Sequence, residues 1–255
     1  MITRAHITKL ASSEGVDAKT VERDYVLTHL VALIARHDAR GALALKGGTS
    51  LRLLHFEDYR YSADLDYSIV EGTHDGALDV IRGALDRAEL DAITRLRVVD
   101  RAGSWWIHYE GPLRSERSIK VDISDDELVV HTNAGRLLER WPDVPDTAVR
   151  AYTQLEVTAE KLRCIIQRFQ CRDLLDLDLL LENGVDRIDA AALFARKAEH
   201  KGIDPRSFEA VFENKLARYR TAWSTELLQY LSHVPHFDEA ERRVRRALRQ
   251  AKLIA

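Results

Sequence analysis

The chain has 255 residues, enough for one large domain or two ordinary ones, so a core can form without structural metals or disulfides. Its 38 basic and 41 acidic side chains leave a formal charge of −3 and a pI near 6.4, which excludes a globally basic binder of nucleic acid or membrane and confines any basic surface to a local patch. No window approaches the run of about 18 apolar residues that a membrane helix needs, and Met1-Ile2-Thr3-Arg4 opens onto no signal-peptide core, so a cytoplasmic protein without membrane contact is expected.

Asp17 caps a predicted helix over 17–36, whose Val21, Tyr25, Leu27, Leu30, Val31 and Ile34 recur close to helical spacing. The apolar run 42–45 stops at Gly47-Gly48 and reads as a buried strand feeding a turn, with a short helix over 50–56. From Asp64 to Val70 the pattern alternates, with Leu65, Tyr67 and Ile69 on one face and Asp64, Asp66 and Ser68 on the other. A helix over 75–90 and strands over 95–100, 104–110 and 118–124 follow, separated by Ala102-Gly103 and Gly111-Pro112. After Trp141-Pro142-Asp143-Val144-Pro145-Asp146 the pattern becomes helix after helix, over 155–169, 172–182, 187–200 and onward from Pro205. These readings give an α+β fold, with a mixed-sheet domain over 1–146 and a helical domain over 147–255. Cys164 and Cys171, placed on one helix, would lie two turns or about 10 Å apart, too far to bridge, so both are expected as reduced thiols.

Residues two apart on a strand share a face, so Asp64 and Asp66 point the same way and repel unless a cation or protons relieve them. Oxygen-only ligands suit Mg²⁺, or Mn²⁺ in the same role, although a solvated strand face would look the same. The strand over 118–124 sets Lys120, Asp122 and Ser124 opposite Ile119, Val121 and Ile123; beside the Asp64 strand it would bring a third carboxylate to the site, enough for two metals. Gly47-Gly48-Thr49-Ser50, between a strand and a helix start, offers backbone N–H groups and hydroxyls to phosphate, without the spacing of a Walker A loop or a dinucleotide fingerprint.

Lys46-Gly47-Gly48-Thr49-Ser50-Leu51, then Arg60-Tyr61-Ser62-Ala63-Asp64-Leu65-Asp66-Tyr67, Glu160-Lys161-Leu162-Arg163 and Arg172-Asp173-Leu174-Leu175-Asp176-Leu177, resemble in order the four motifs of the AbiEii toxin family, which includes the mycobacterial MenT toxins, within the polymerase-beta-like nucleotidyltransferase superfamily. The 15 residues between Gly48 and Asp64 exceed the superfamily's usual gap, which a longer loop through His55 to Arg60 would accommodate. The resemblance implies a polymerase-beta-like fold, metal held by Asp64, Asp66 and Asp122, and an NTP bound by Lys46, Gly47, Gly48, Thr49, Ser50 and Ser62. It marks Lys161 and Asp176 as needed for activity and adds Arg168 and Asp173 as nucleotide contacts. Alternatively, Lys161 is a solvated surface lysine and Asp173 and Asp176 form a polar helix face or pair with Arg168 or Arg172, with Asp176 either anchoring Lys161 or contacting nucleotide. By the same resemblance the donor is CTP or UTP, the acceptor the 3′ end of tRNA, and the partner an AbiEi-like antitoxin. Transfer to a protein hydroxyl or small molecule, or a non-catalytic RNA- or nucleotide-binding module, are the competing readings. The last helix carries Arg242, Arg243, Arg245, Arg246, Arg249 and Lys252 against Glu241, either as the solvated side of an amphipathic helix or as an RNA-backbone contact.

Overall fold

The computed structural model describes residues 2–255, which form two compact units. The first comprises the residues up to Asp126 together with Thr132–Ala151; the second comprises Glu127–His131 and Tyr152–Ala255.

In the first unit, α1 (Arg4–Glu14) and α2 (Ala18–His37) precede β1 (Leu43–Leu45), and α3 (Gly47–Ser50) runs directly into a π turn over Leu51–His55. Then come β2 (Leu65–Ile69), α4 (His74–Asp86), β3 (Thr94–Arg101), β4 (Ser104–Glu110), β5 (Glu116–Ser124), β6 (Thr132–Arg136) and β7 (Ala148–Tyr152). The strands make one mixed sheet in the order β3-β4-β5-β2-β1-β7-β6. Strand β1 is buried along its whole length, as its unbroken apolar run requires, and lies antiparallel to β2 and parallel to β7. Val21, Leu30 and Ile34 of α2 share a core with Leu45, Leu65, Ile107, Ile119 and Val121 of the sheet. Each such side chain contributes roughly 1.5–3 kcal/mol on burial. The sheet outlasts Asp146, because β7 sets Ala151 beside Leu45, so the break between units falls after Ala151. Helix α1 buries only Ile7 and Ala11, too few apolar positions to print a helical period; a reciprocal cap between Thr3 and His6 starts it.

The second unit contains α5 (Gln154–Gln167), α6 (Cys171–Glu182), α7 (Arg187–His200), a 3₁₀ turn (Pro205–Ser207), α8 (Phe208–Leu227) and α9 (Phe237–Gln250). Leu162, Leu177, Phe194, Phe212, Trp223 and Val244 are among the side chains of its separate core. Buried charge ties the segment Glu127–His131 to these helices. Glu156 accepts from the Val130 and His131 amides at 3.2 and 2.9 Å, and Lys197 pairs with Glu156 at 2.6 Å while donating to the Leu128 carbonyl at 2.7 Å. Cys164 and Cys171 fall on successive helices, α5 and α6, rather than on one, and both are buried free thiols. No described helix is long and apolar enough to cross a membrane.

Candidate active site

The turn after β1 is held from both ends. The Lys46 amide donates to the Asp66 carbonyl at 3.0 Å, and the Phe56 amide reaches Leu51 O at 2.9 Å to close the π turn, a local departure from α geometry of the kind found at functional positions. Arg52, on that π turn, donates through Nε to the buried Asp24 of α2 at 3.0 Å, and Trp141 Nε1 donates to the same carboxylate at 3.1 Å. The glycines are dictated by their neighbours. Gly47 has φ +70°, and a Cβ there would stand 2.6 Å from Asp66 Oδ2; a Cβ on Gly48 would run into the Arg60 guanidinium. The turn therefore lies directly against the Asp66 carboxylate. Thr49 and Ser50 are fully buried and their hydroxyls serve the turn itself. The Thr49 hydroxyl donates to the Asp64 carbonyl at 2.5 Å and lies 2.8 Å from the Ser62 hydroxyl, while Ser50 donates to the Gly47 carbonyl at 2.9 Å. These three hydroxyls thus shape the loop around the carboxylates.

Strands β2 and β5 are parallel neighbours with Asp66 opposite Asp122 and Ser68 opposite Ser124. Two carboxylates in register on adjacent strands sit on one face of the sheet, about 4.8 Å apart at their backbones. Asp64 immediately precedes β2. Lys120, two residues before Asp122 on the same face, holds that carboxylate at 2.6 and 2.8 Å. Lys46 is nearly buried and donates through Nζ to Ser124 Oγ at 3.1 Å.

In the second unit Lys161 is 5% exposed, so it is no surface lysine. Its ammonium sits between Asp173 Oδ1 at 2.7 Å and Asp176 Oδ2 at 2.6 Å, carboxylates one turn apart on α6. Arg168 closes the group by donating to Asp173 through Nε at 2.8 Å and Nη2 at 3.0 Å. Burial alone would raise Asp173, but the Lys161 charge and the Arg168 bonds and charge outweigh it and hold the carboxyl below its ordinary value. Two cations and two anions make a charge-balanced quartet in which Lys161, Asp173 and Asp176 are buried and Arg168 is exposed. The α9 arginines are likewise engaged: Arg243 binds Asp178 at 2.9 and 2.6 Å, Arg245 binds Glu213 at 2.6 and 2.7 Å, and Arg246 binds Glu182 at 2.8 Å. Their acids come from other helices, while Arg242 and Arg249 donate to the Asp238 and Ala255 carbonyls at 3.2 and 2.9 Å.

The family model for the nucleotidyl transferase AbiEii toxin of type IV toxin–antitoxin systems matches residues 29–250. The chain belongs to the AbiEii nucleotidyltransferase toxin family. The fold of this AbiEii-family protein is similar to that of MenT4, a nucleotidyltransferase toxin from Mycobacterium tuberculosis, with a TM-score of 0.78 and 18% identity over 99% of this chain and 90% of that one. An antigenic nucleotidyltransferase-like protein from Paracoccidioides brasiliensis matches at 16% identity over 76% of this chain and 97% of that one, with a TM-score of 0.44 that carries no weight. Among curated protein sequences none matches.

Nucleotidyltransferases of this kind generally use divalent metals. The donor set in the first unit fits such an ion chemically, since Asp64, Asp66 and Asp122 offer hard carboxylate oxygens. Among the described residues, however, no three His, Cys, Asp or Glu side chains are gathered into a metal-ready cluster. Lys120 pairs with Asp122, and the register of β2 with β5 sets Asp66 opposite Asp122. Two residues of this site escape a motif reading. Lys120 is readable only from its i, i+2 spacing to Asp122; Arg60 stands in the second motif, but its fully buried place against Gly48 depends on the fold.

Proposed function

We propose that this protein transfers a nucleoside monophosphate from an NTP, CTP or UTP foremost, to the 3′-terminal hydroxyl of tRNA, and that an AbiEi-like antitoxin restrains it. The observation that carries the reading is the placing of Asp66 and Asp122 in register beside the Gly47 turn. Asp64, Asp66 and Asp122 would hold Mg²⁺ or Mn²⁺, which supplies charge neutralisation at the attacking and leaving oxygens. The backbone N–H groups of Gly47 and Gly48 and the Lys46 ammonium face the triphosphate, with Thr49, Ser50 and Ser62 keeping the turn in shape. The acceptor hydroxyl attacks the α-phosphorus in line; a phosphorus–oxygen bond forms, the bond to the leaving pyrophosphate breaks, and the hydroxyl proton passes to solvent. Lys161, Arg168, Asp173 and Asp176 enter as the second unit's contribution to activity, with Asp173 and Asp176 fixing the lysine.

The test incubates purified protein with Mg²⁺, each of four labelled NTPs and total tRNA, alongside Asp66→Ala. Label on RNA from a pyrimidine nucleotide with the wild type alone is the expected result. Label on protein or on no acceptor, or equal labelling by Asp66→Ala, overturns it.

A further inference from the structure

Residues 56–64 join the π turn to β2 without forming helix or strand, yet Tyr59, Arg60, Tyr61 and Ser62 within them are buried. A connecting segment ordinarily runs over the surface, because each backbone carbonyl taken out of water needs a donor. Here a donor comes from inside the protein. Arg52, 4% exposed on the π turn, donates through Nη1 to the Tyr59 carbonyl and reaches the Glu57 carbonyl at 3.5 Å. Its guanidinium carbon also lies 4.3 Å from the centre of the Tyr61 ring. Tyr61 is anchored at its far end, where the hydroxyl donates to Glu14 of α1 and accepts from Arg140 Nη2 at 2.6 Å.

The same guanidinium is balanced through a different nitrogen, since Nε holds Oδ1 of the buried Asp24 at 3.0 Å. A buried cation is costly unless it is paired and hydrogen-bonded, and a planar fork meets both needs at once; an ammonium carries the charge but does not span both partners. The segment so held ends at the carboxylates. Asp66 is fixed by the strand ladder opposite Asp122, whereas Asp64 precedes the strand. The Asp64 carbonyl accepts from the Thr49 hydroxyl at 2.5 Å, and that hydroxyl lies 2.8 Å from the Ser62 hydroxyl. Both contacts require the chain to return to the Gly47 turn, and Arg52 binds the start of that return to its middle.

We infer that Arg52 is a positioning residue: by closing residues 56–64 on the π turn, it sets where Asp64 enters the metal site. The role rests on the reading that Asp64 is a metal ligand, while the closure itself is measurable without metal. The wild type is compared with Arg52→Lys, which keeps a charge beside Asp24, with Arg52→Gln, which keeps none, and with Gly103→Ala as a general loss of stability, each shown by circular dichroism to be folded. In EDTA, backbone hydrogen exchange is followed by mass spectrometry in peptides spanning 57–64 and β5. Both Arg52 variants should exchange 57–64 at least about tenfold faster and leave β5 unchanged. In transfer of labelled nucleotide, they should raise the Mg²⁺ concentration for half-maximal rate by about tenfold. Gly103→Ala should neither single out 57–64 nor change the Mg²⁺ requirement. Unchanged exchange of 57–64 in the folded variants, an equal rise in β5, or an unaltered Mg²⁺ requirement beside faster 57–64 exchange overturns the inference. A wild type that transfers nothing at any Mg²⁺ concentration sinks the function proposed above, and the exchange result alone then upholds or overturns the closure by Arg52.

Discussion

Replacing Gly47 by alanine perturbs the site through one atom. The new Cβ must adopt φ near +70° and stands 2.6 Å from Asp66 Oδ2, well inside the 3.4 Å at which ordinary contact begins. The left-handed backbone costs about 1–2 kcal/mol in any L-residue. For a chain of this size that lowers the thermal midpoint by about 2–8 °C. The contact adds a displacement of the Asp66 carboxylate by several tenths of an ångström, and misplacing a reacting group on that scale lowers transfer by up to about 100-fold. Gly103→Ala separates the two effects, since Gly103 has φ +82° with nothing within 4 Å of its would-be Cβ. Both variants should lose similar stability in thermal melts, while only Gly47→Ala loses labelling of the acceptor from labelled NTP. Wild-type transfer by Gly47→Ala, or equal loss in both variants, would refute the claim that this glycine exists to admit the Asp66 carboxylate.

Lys161→Ala removes the buried ammonium from between Asp173 and Asp176, leaving Arg168 on Asp173, and should cost about 3–5 kcal/mol in urea denaturation followed by helical circular dichroism; a loss under 1 kcal/mol would contradict the quartet. The folded-state pKa of Asp173 lies below its ordinary 3.8, so its stabilising contribution is present above that value and drains away as pH falls through the lower folded value; Asp173→Asn should flatten this acid limb of the stability curve. Burial pushes the Cys164 thiol up to about 11 and the Cys171 thiol up to about 12, and so native protein at pH 8 should resist a disulfide-exchange reagent that titrates two thiols after unfolding. Lys120→Met frees Asp122 from its ion pair and should lower the Mg²⁺ concentration that half-saturates transfer; an unchanged or higher requirement would show that the pair does not compete with metal.

Local patterns carried much of this architecture. Alternation in 64–70 and 118–124 assigned Asp66 and Asp122 to polar faces, and the parallel pairing of β2 with β5 then made those faces one. The pairing itself is non-local and left no mark in the sequence. Strands β6 and β7 were hidden for a related reason: each has five residues, β6 at the sheet edge carries Asn133 and Gly135 with little apolar content, and β7 is recognised as a strand by its pairing with β1. The burial of Lys161 was equally unreadable, because an ammonium is buried only when carboxylates meet it, and the decisive ones sit on α6, 12 and 15 residues downstream. The α9 arginines looked unpaired for the same reason, with Asp178 and Glu182 more than 60 residues upstream. Thr49, Ser50 and Ser62 look like phosphate donors in a motif, yet their hydroxyls face inward because the polar backbone of a tight turn must be satisfied first.

The central claim is that Asp66 and Asp122 form one metal-dependent transfer site with the Gly47 turn. Its most direct test measures Mg²⁺-dependent transfer of labelled nucleotide by the wild type, Asp66→Asn and Asp122→Asn, each shown by circular dichroism to be folded. The account predicts loss of at least about 100-fold in both variants, at every Mg²⁺ concentration. Wild-type transfer by either folded variant would contradict it.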